Sequence, residues 1–219
     1  MVSARTRFIP FANNYYYHIY NRGVEKRLTF LDSRDFTRFL RMLNYYQYSG
    51  PKPSFSKITN DQLKKLQAKE KIIEIICYCL MPNHFHLLIK QLKDSGISNF
   101  IRLISNGYTR YFNIRRTRVG PLFQGAYKAV LIETDEQLVH TSRYIHLNPY
   151  VSLLVKDLKT YQWSSYPDFI GIRNGKLVNK NEILSFFKDP TEYEKFVLDH
   201  ASYAMDLERI KHQLLDPED

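Results

Sequence analysis

The chain has 219 residues, enough to bury the core of one domain with or without an appendage. Hydrophobic residues make up 44% and charged residues 25%, as in a globular protein, and the absence of any apolar run near ~20 residues excludes a transmembrane helix. The 32 Lys and Arg against 22 Asp and Glu give a net charge of +10, which favours a polyanionic partner, most often nucleic acid.

The first part of the chain predicts a basic arm, a strand and a helix. Residues 1–13 look like a loose arm without the apolar core of a signal peptide, so we expect a cytoplasmic protein. Residues 14–23 are aromatic, β-prone and closed by glycine, which indicates the first strand. Asp32 or Ser33 can cap the first helix, where apolar residues recur at helical spacing over 36–43.

The middle of the chain predicts a β-hairpin after a small insertion. A short polar helix is expected at 60–69, followed by strands at 71–80 and 84–90 that the corner at 81–83 joins. Cys77 and Cys79 project from one face of the earlier strand, where a disulfide between them is geometrically poor. We therefore expect both to be reduced, buried residues.

Two more helices and a strand follow. A helix beginning at Ser95 or Ser98 leads to a strand at 127–132. Thr134, with Gln137 three residues later, predicts a capping box at the start of the third main helix. That helix is expected to end at Asn148-Pro149, because the residue before a proline disfavours the α region.

The order of elements predicts an α+β fold. A β-α-β-β-α-β core is the ferredoxin-like arrangement, an antiparallel sheet with two helices packed on one face. We expect this core to span residues 14–170 and a helical C-terminal extension to span 171–219, with one or two helices over 181–213 broken at Asp189-Pro190.

The third strand opens with a His-x-His pair. His84 and His86 share one face of a strand, close enough to hold one metal ion, while Phe85, Leu87 and Ile89 face the core. The alternative is that both are strand histidines bonded to backbone or water.

The third main helix supplies two further candidates. Tyr144 and Asn148 are four residues apart and so share a face. With the two histidines, Asn148 makes a neutral N,N,O ligand set that suits Mg²⁺ or Mn²⁺ bound to phosphate and water. Tyr144 can attack a polarised phosphate if the metal, Arg143, Lys128 or a general base activates it. The alternative is an ordinary packed tyrosine.

Several separately spaced motifs resemble the HUH single-tyrosine transposases, most closely the REP-associated tyrosine transposase subgroup. The main motifs are MPNHFH at 81–86, LFQGAYK at 122–128 and YIHLNP at 144–149. YHIYNRG at 17–23 and WSSY at 163–166 also resemble that subgroup, so the similarity covers roughly residues 14–170.

The resemblance implies a ferredoxin-like nuclease core with a divalent metal on His84 and His86. It implies that Tyr144 cleaves single-stranded DNA to leave a 5′-phosphotyrosine and a free 3′-OH, and that Asn148 is the third polar ligand. Insertion-sequence transposases more broadly have glutamine at that position, so Asn148 supports the REP-associated subgroup. Ala126 stands where relatives often have arginine, which puts one cationic DNA contact in doubt.

The expected partner is single-stranded or hairpin-flanked DNA of the bacterial nucleoid, with no membrane, bound by a monomer or a homodimer. For the arginines on the second main helix, the alternative is a solvated surface. The candidate DNA contacts are Arg22, Arg102, Arg110, Arg115, Arg116, Lys128 and Arg143.

Two other functions remain open from the sequence. The chain could be a catalytically silent, transposase-derived protein that serves as a sequence-specific DNA-binding or regulatory module. The presence of all four site residues argues against simple decay. A non-catalytic RNA-binding ferredoxin-like protein is a further alternative, against which stands the lack of an aromatic RNP-type strand.

Overall fold

The computed structural model describes residues 11–50, 55, 58–201 and 205. Most of the predicted basic arm and the end of the predicted C-terminal helical stretch lie outside these residues. The strands are β1 (Tyr16–Arg22), β2 (Ile73–Met81), β3 (His84–Gln91) and β4 (Lys128–Ile132). The helices are α1 (Ser33–Tyr46), α2 (Asn60–Gln67), α3 (Gly96–Arg115), α4 (Asp135–Val151), α5 (Tyr166–Phe169), α6 (Asn181–Leu184) and α7 (Pro190–Leu198). None of the helices described is long and apolar enough to cross a membrane.

The four strands form one antiparallel sheet in the order β2-β3-β1-β4. Strands β2 and β3 are joined directly by the tight turn at Pro82 and Asn83, as the sequence predicts. Strand β3 lies between β1 and β2, and β1 lies between β3 and β4. The connections through α1 and α3 therefore each cross over one strand, which is the ferredoxin-like arrangement. The predicted fold class is therefore confirmed.

One face of the sheet carries the larger apolar core. Phe85, Leu87 and Ile89 of β3 are buried there, in a cluster that includes side chains of α1 and α3. The ring of Phe39 in α1 lies 5.2 Å from that of Phe85, and Phe100 of α3 belongs to the same cluster. Helices α1 and α3 cover this face because their apolar residues recur at helical spacing.

The opposite face is covered at one end by α4 and the short helices that follow it. Leu88 of β3 is buried there with Ile145 of α4 and Val197 of α7. Cys77 and Cys79 lie in this second core as free, fully buried thiols, as predicted. On this face β3 contributes one apolar residue, Leu88, between His86 and Lys90.

Helix α4 begins as predicted and ends later than predicted. The Thr134 side chain accepts a hydrogen bond from the Gln137 backbone amide at the N-terminus. The Gln137 side chain accepts from the Glu133 amide and not from that of Thr134, so the predicted capping box forms only in part. The predicted end at Asn148-Pro149 is wrong, because the helix continues to Val151. Proline cannot donate a backbone hydrogen bond, yet the amide of Ser152 still donates to the Asn148 carbonyl at 3.0 Å, so the last turn is closed. The proline itself is buried within the helix.

A buried chain of hydrogen bonds attaches α4 to its neighbours. Ser142 Oγ donates to the Val139 carbonyl at 2.7 Å and lies 3.1 Å from the Tyr193 hydroxyl. The Tyr193 oxygen lies 2.7 Å from His146 Nδ1. On its other side, His146 Nε2 lies 2.8 Å from the Ser165 hydroxyl, which also bonds to the Tyr78 backbone. Helix α4 is thereby tied both to α7 and to the segment before α5.

Removing the Tyr193 hydroxyl should weaken this attachment measurably. We expect Tyr193→Phe to lower the free energy of unfolding by about 1–3 kcal/mol, because buried polar groups of His146 and Ser142 lose their partner. Urea denaturation measures the difference. Tyr15→Phe is the matched control, since the Tyr15 side chain is exposed and its replacement should change stability by less than about 0.5 kcal/mol. Equal loss in both variants would contradict the expectation.

Candidate metal and nucleophile site

The His-x-His pair opens β3 on the sheet face that α4 partly covers. Across the β1–β3 ladder, His84 pairs with Arg22 and His86 pairs with Tyr20, so all four side chains share that face. The two imidazole rings are 4.9 Å apart between centroids and nearly perpendicular. This spacing allows one nitrogen of each ring to reach a common ion.

The hydrogen-bond partner of His84 identifies which ring nitrogen carries hydrogen. His84 Nδ1 lies 2.6 Å from Asn83 Oδ1. The Asn83 amide nitrogen donates to the Lys26 carbonyl, which orients the amide oxygen toward the histidine. An amide oxygen only accepts, so His84 donates from Nδ1 and its Nε2 keeps the lone pair that a metal needs.

His86 also has its Nδ1 engaged, by a second histidine. His18 of β1 places Nε2 2.9 Å from His86 Nδ1, and the two rings stack with centroids 5.1 Å apart. From the sequence, a histidine on the first strand such as His18 can be either a third metal ligand or a strand histidine with another partner. The partner that the structure gives it is His86.

Helix α4 brings Tyr144 and Asn148 to the same place. The Tyr144 ring meets the His86 ring edge-on, with centroids 5.6 Å apart, and 54% of the tyrosine surface is exposed. One turn later, Asn148 donates from its amide nitrogen to the Tyr144 carbonyl at 2.8 Å, and its side chain lies close enough to His84 to influence the pKa of that imidazole. The two histidines, the tyrosine and the asparagine therefore lie together within one chain.

Burial keeps the histidines of the site neutral. Burial and then the charge of Arg22 together lower the pKa of His84 to about 4, against an opposing effect of Asn148. Burial, followed by the neighbouring His84 and His18, lowers the pKa of His86 well below its usual range. The pKa of His18 falls to about 4 for the same reason, burial. Neutral imidazole is the form that binds a metal ion.

The donor set fits a hard divalent ion. Nε2 of His84, Nε2 of His86 and the amide oxygen of Asn148 can supply two nitrogens and one oxygen, which leaves other positions for phosphate and water. Among the residues described, no group of three or more His, Cys, Asp and Glu side chains is arranged to hold a metal ion. Because the two imidazoles and the amide are all neutral, an ion bound by them would keep its full positive charge for an anionic substrate.

An open cleft lies beside Tyr144, between β4 and α4. Its volume is about 460 Å³, within the range of pockets that hold small ligands. Polar side chains of α4 line one wall, and apolar side chains of β4 line the other. The lining residues are His18, Val130, Leu131, Ile132, Glu133, Gln137, His140, Thr141 and Tyr144.

Two of the predicted DNA-contacting cations lie on the site face. Arg22 and Lys128 are exposed, and the Lys128 ammonium is 5.9 Å from the centre of the Tyr20 ring. Arg143 is directed elsewhere, because its guanidinium lies 4.3 Å from the centre of the Phe196 ring. It also contacts the Nδ1 atom of His140 at 2.6 Å.

The arginines of α3 lie on the other side of the sheet from the histidines. Arg115 and Arg116 both form ion pairs with Asp32 and the fully buried Asp35. The sequence offered no means of pairing these groups, which are about eighty positions apart. Arg102 and Arg110 are exposed on the same helix, so the structure brings none of the four to the site. A DNA contact on that side stays a prediction.

Sequence reasoning did not find the hydrogen bond of Asn83 to His84 or that of His18 to His86. Asn83 appeared only as part of the hairpin turn, and His18 appeared as one histidine on a strand. The missing information was the pairing of β1 with β3, which sets His18 diagonally opposite His86.

Comparison with known proteins supports the predicted resemblance. The family model described as IS200-like transposase matches residues 53–148, a range that contains His84, His86, Tyr144 and Asn148. Among solved structures, the fold is similar to that of a REP-associated tyrosine transposase bound to a REP hairpin, with a TM-score of 0.57 and 14% identity. That likeness covers 78% of this chain and 86% of the other. No protein with curated information matches the sequence significantly.

The lowered pKa values of the buried histidines predict a loss of stability in acid. Between about pH 6.5 and pH 4, His18 and His84 are protonated in the unfolded chain but remain neutral in the folded protein. The unfolded state therefore binds more protons, and the free energy of unfolding falls as the pH falls. Each such histidine should account for on the order of 2 kcal/mol between pH 6.5 and 4.5.

Urea denaturation of the metal-free protein at both pH values measures this loss. His84→Gln is the control, because glutamine does not titrate and its variant should lose less stability on acidification than the wild type. An equal loss in the two proteins would contradict the lowered pKa of His84.

Proposed function

We propose that this chain, which matches the IS200-like transposase family over residues 53–148, is a metal-dependent single-tyrosine DNA endonuclease and strand transferase. The observation that carries the proposal is the position of Tyr144 against His86, with Asn148 one helical turn away and close to His84. Four residues from β3 and α4 thereby place a nucleophile beside a neutral metal-ligand set.

The proposed reaction exchanges one phosphodiester for another. The Tyr144 oxygen attacks the scissile phosphorus, the bond from phosphorus to the 3′ oxygen breaks, and the phenol proton is transferred to that oxygen. The products are a 5′-phosphotyrosine and a free 3′-OH. The energy of the broken bond is conserved, so the 3′-OH of another strand can reverse the step without ATP.

Other residues of the site have definable parts in this reaction. A divalent ion such as Mg²⁺ or Mn²⁺, held by His84, His86 and Asn148, supplies Lewis-acid polarisation of the scissile phosphate. Arg22 and Lys128, exposed on the same face, attract the flanking phosphates. The cleft beside Tyr144 has room for the nucleotide next to the cleaved bond.

The substrate proposed is single-stranded DNA flanked by a hairpin. The net charge of +10 suits a polyanion, and the similar solved structure holds a REP hairpin. We further propose that the protein acts in the cytoplasm, on DNA of the bacterial nucleoid. Each chain carries a nucleophile in contact with its own histidine pair, so a monomer has the complete residue set.

Replacement of the nucleophile should abolish covalent attachment. We expect Tyr144→Phe to form no adduct when incubated with Mn²⁺ and a labelled, hairpin-flanked single strand, because the variant lacks the attacking oxygen. A denaturing gel measures the adduct. Tyr20→Phe is the matched control, since the Tyr20 ring also lies close to His86, at 5.7 Å, and is the rival nucleophile. An adduct that survives in Tyr144→Phe and disappears in Tyr20→Phe would show the assignment to be wrong.

Removal of either proposed histidine ligand should separate cleavage from binding. We expect His84→Ala and His86→Ala to lose cleavage while retaining much of their affinity for the same DNA, because phosphate contacts supply most of that affinity. Chelation of the metal should have the same effect on the wild type. Cleavage that persists in either variant would contradict the metal site.

The same assays separate the proposal from the catalytically silent alternative. Tight, salt-dependent binding by the wild type without cleavage on a broad hairpin library would favour a transposase-derived DNA-binding protein.

A further inference from the structure

His18 reaches the proposed metal ligand His86 from the neighbouring strand. In the β1–β3 ladder His18 pairs with Leu88, so it is the diagonal neighbour of His86 on the same face. His18 Nε2 and His86 Nδ1 are 2.9 Å apart, and the ring planes are inclined by 24°. This is a hydrogen-bond distance, so one hydrogen atom lies between the two nitrogens.

The position of that hydrogen determines what His86 can bind. A neutral imidazole carries one N–H, on either Nδ1 or Nε2. If His86 donates from Nδ1, its Nε2 keeps a lone pair and can bind a metal ion. If His18 is the donor, His86 accepts at Nδ1, its hydrogen resides on Nε2, and metal binding through that atom is blocked.

The other histidine of the pair shows the metal-competent arrangement. His84 donates from Nδ1 to Asn83 Oδ1, an atom that cannot donate in return. One ion can be shared by the two rings through Nε2 only if His86 is in the same tautomer. The acceptor available to His86 Nδ1 is His18 Nε2, in the position where metal-ligating histidines ordinarily meet a carboxylate or a carbonyl.

We propose that His18 is a positioning residue that accepts the Nδ1 hydrogen of His86 and so commits His86 Nε2 to the metal site. His18 then carries its own hydrogen on Nδ1 and has no lone pair left for an ion, which distinguishes this role from that of a third ligand. The metal-binding part rests on the proposed function, whereas the tautomer of His86 does not.

The tautomer is measurable without metal, DNA or activity. A long-range ¹H–¹⁵N spectrum of the metal-free, ¹⁵N-labelled wild type, assigned with single histidine variants, reports which nitrogen of each ring is protonated. We expect hydrogen on Nδ1 of both His86 and His18. Hydrogen on His86 Nε2 would overturn the proposal, even if the protein proved to be an active nuclease.

Mn²⁺ titration followed by electron paramagnetic resonance tests the consequence for the metal site. His18→Phe keeps the ring and its stacking but has no acceptor, and should weaken Mn²⁺ binding by about 10- to 100-fold. His18→Gln loses the ring but keeps an accepting oxygen, and should bind Mn²⁺ nearly as the wild type does. Tyr16→Phe, on the same strand and face but bonded to Glu182, is the control for general disturbance of β1.

The two variants also separate positioning from a structural role. A purely structural contribution would lower thermal stability without restoring Mn²⁺ affinity selectively in His18→Gln. Tight Mn²⁺ binding by His18→Phe, or equally weak binding by both variants, would overturn the proposal. If the wild type neither bound Mn²⁺ nor cleaved DNA, the proposed function would fail while the tautomer measurement still decided the role of His18.

Discussion

The site depends on the burial of three side chains that are not part of it. Phe85, Leu87 and Ile89 face the core under α1 and α3, and strand alternation then directs His84 and His86 to the opposite face. A slip of one residue would exchange the two sets and expose three large apolar groups, at about 1.5–3 kcal/mol each. The hydrophobic effect on one face of β3 therefore determines the direction of the imidazoles on the other.

Helix α4 repeats this division between two sides. Tyr144 and Asn148 point toward the histidine pair, whereas His146, midway between them, points to the opposite side of the helix. The buried bonds of His146 to Tyr193 and Ser165 resist both rotation and sliding of the helix, because a polar group removed from its partner in a dry core is costly. The exposed tyrosine consequently has a well-determined backbone position.

Local patterns predicted most of this arrangement, and long-range contacts account for what they missed. Alternation placed the two histidines on one face, and spacing of four residues placed Tyr144 with Asn148. Neither pattern contains the register between β1 and β3, which brings His18 to His86. The end of α4 was mispredicted because the preference of a residue before proline against the α region did not keep Asn148 from being helical beside the buried Pro149.

The proximity of Tyr144 to the histidines of its own chain limits how many DNA ends one chain can hold covalently. Helix α4 offers one phenol to the site, and a phenol that is esterified to a DNA end is occupied until a 3′-OH releases it. Under the proposed function, a single chain therefore holds one covalent end at a time. Exchange between two cut strands must then proceed either in succession at one site or through two molecules that each carry an end.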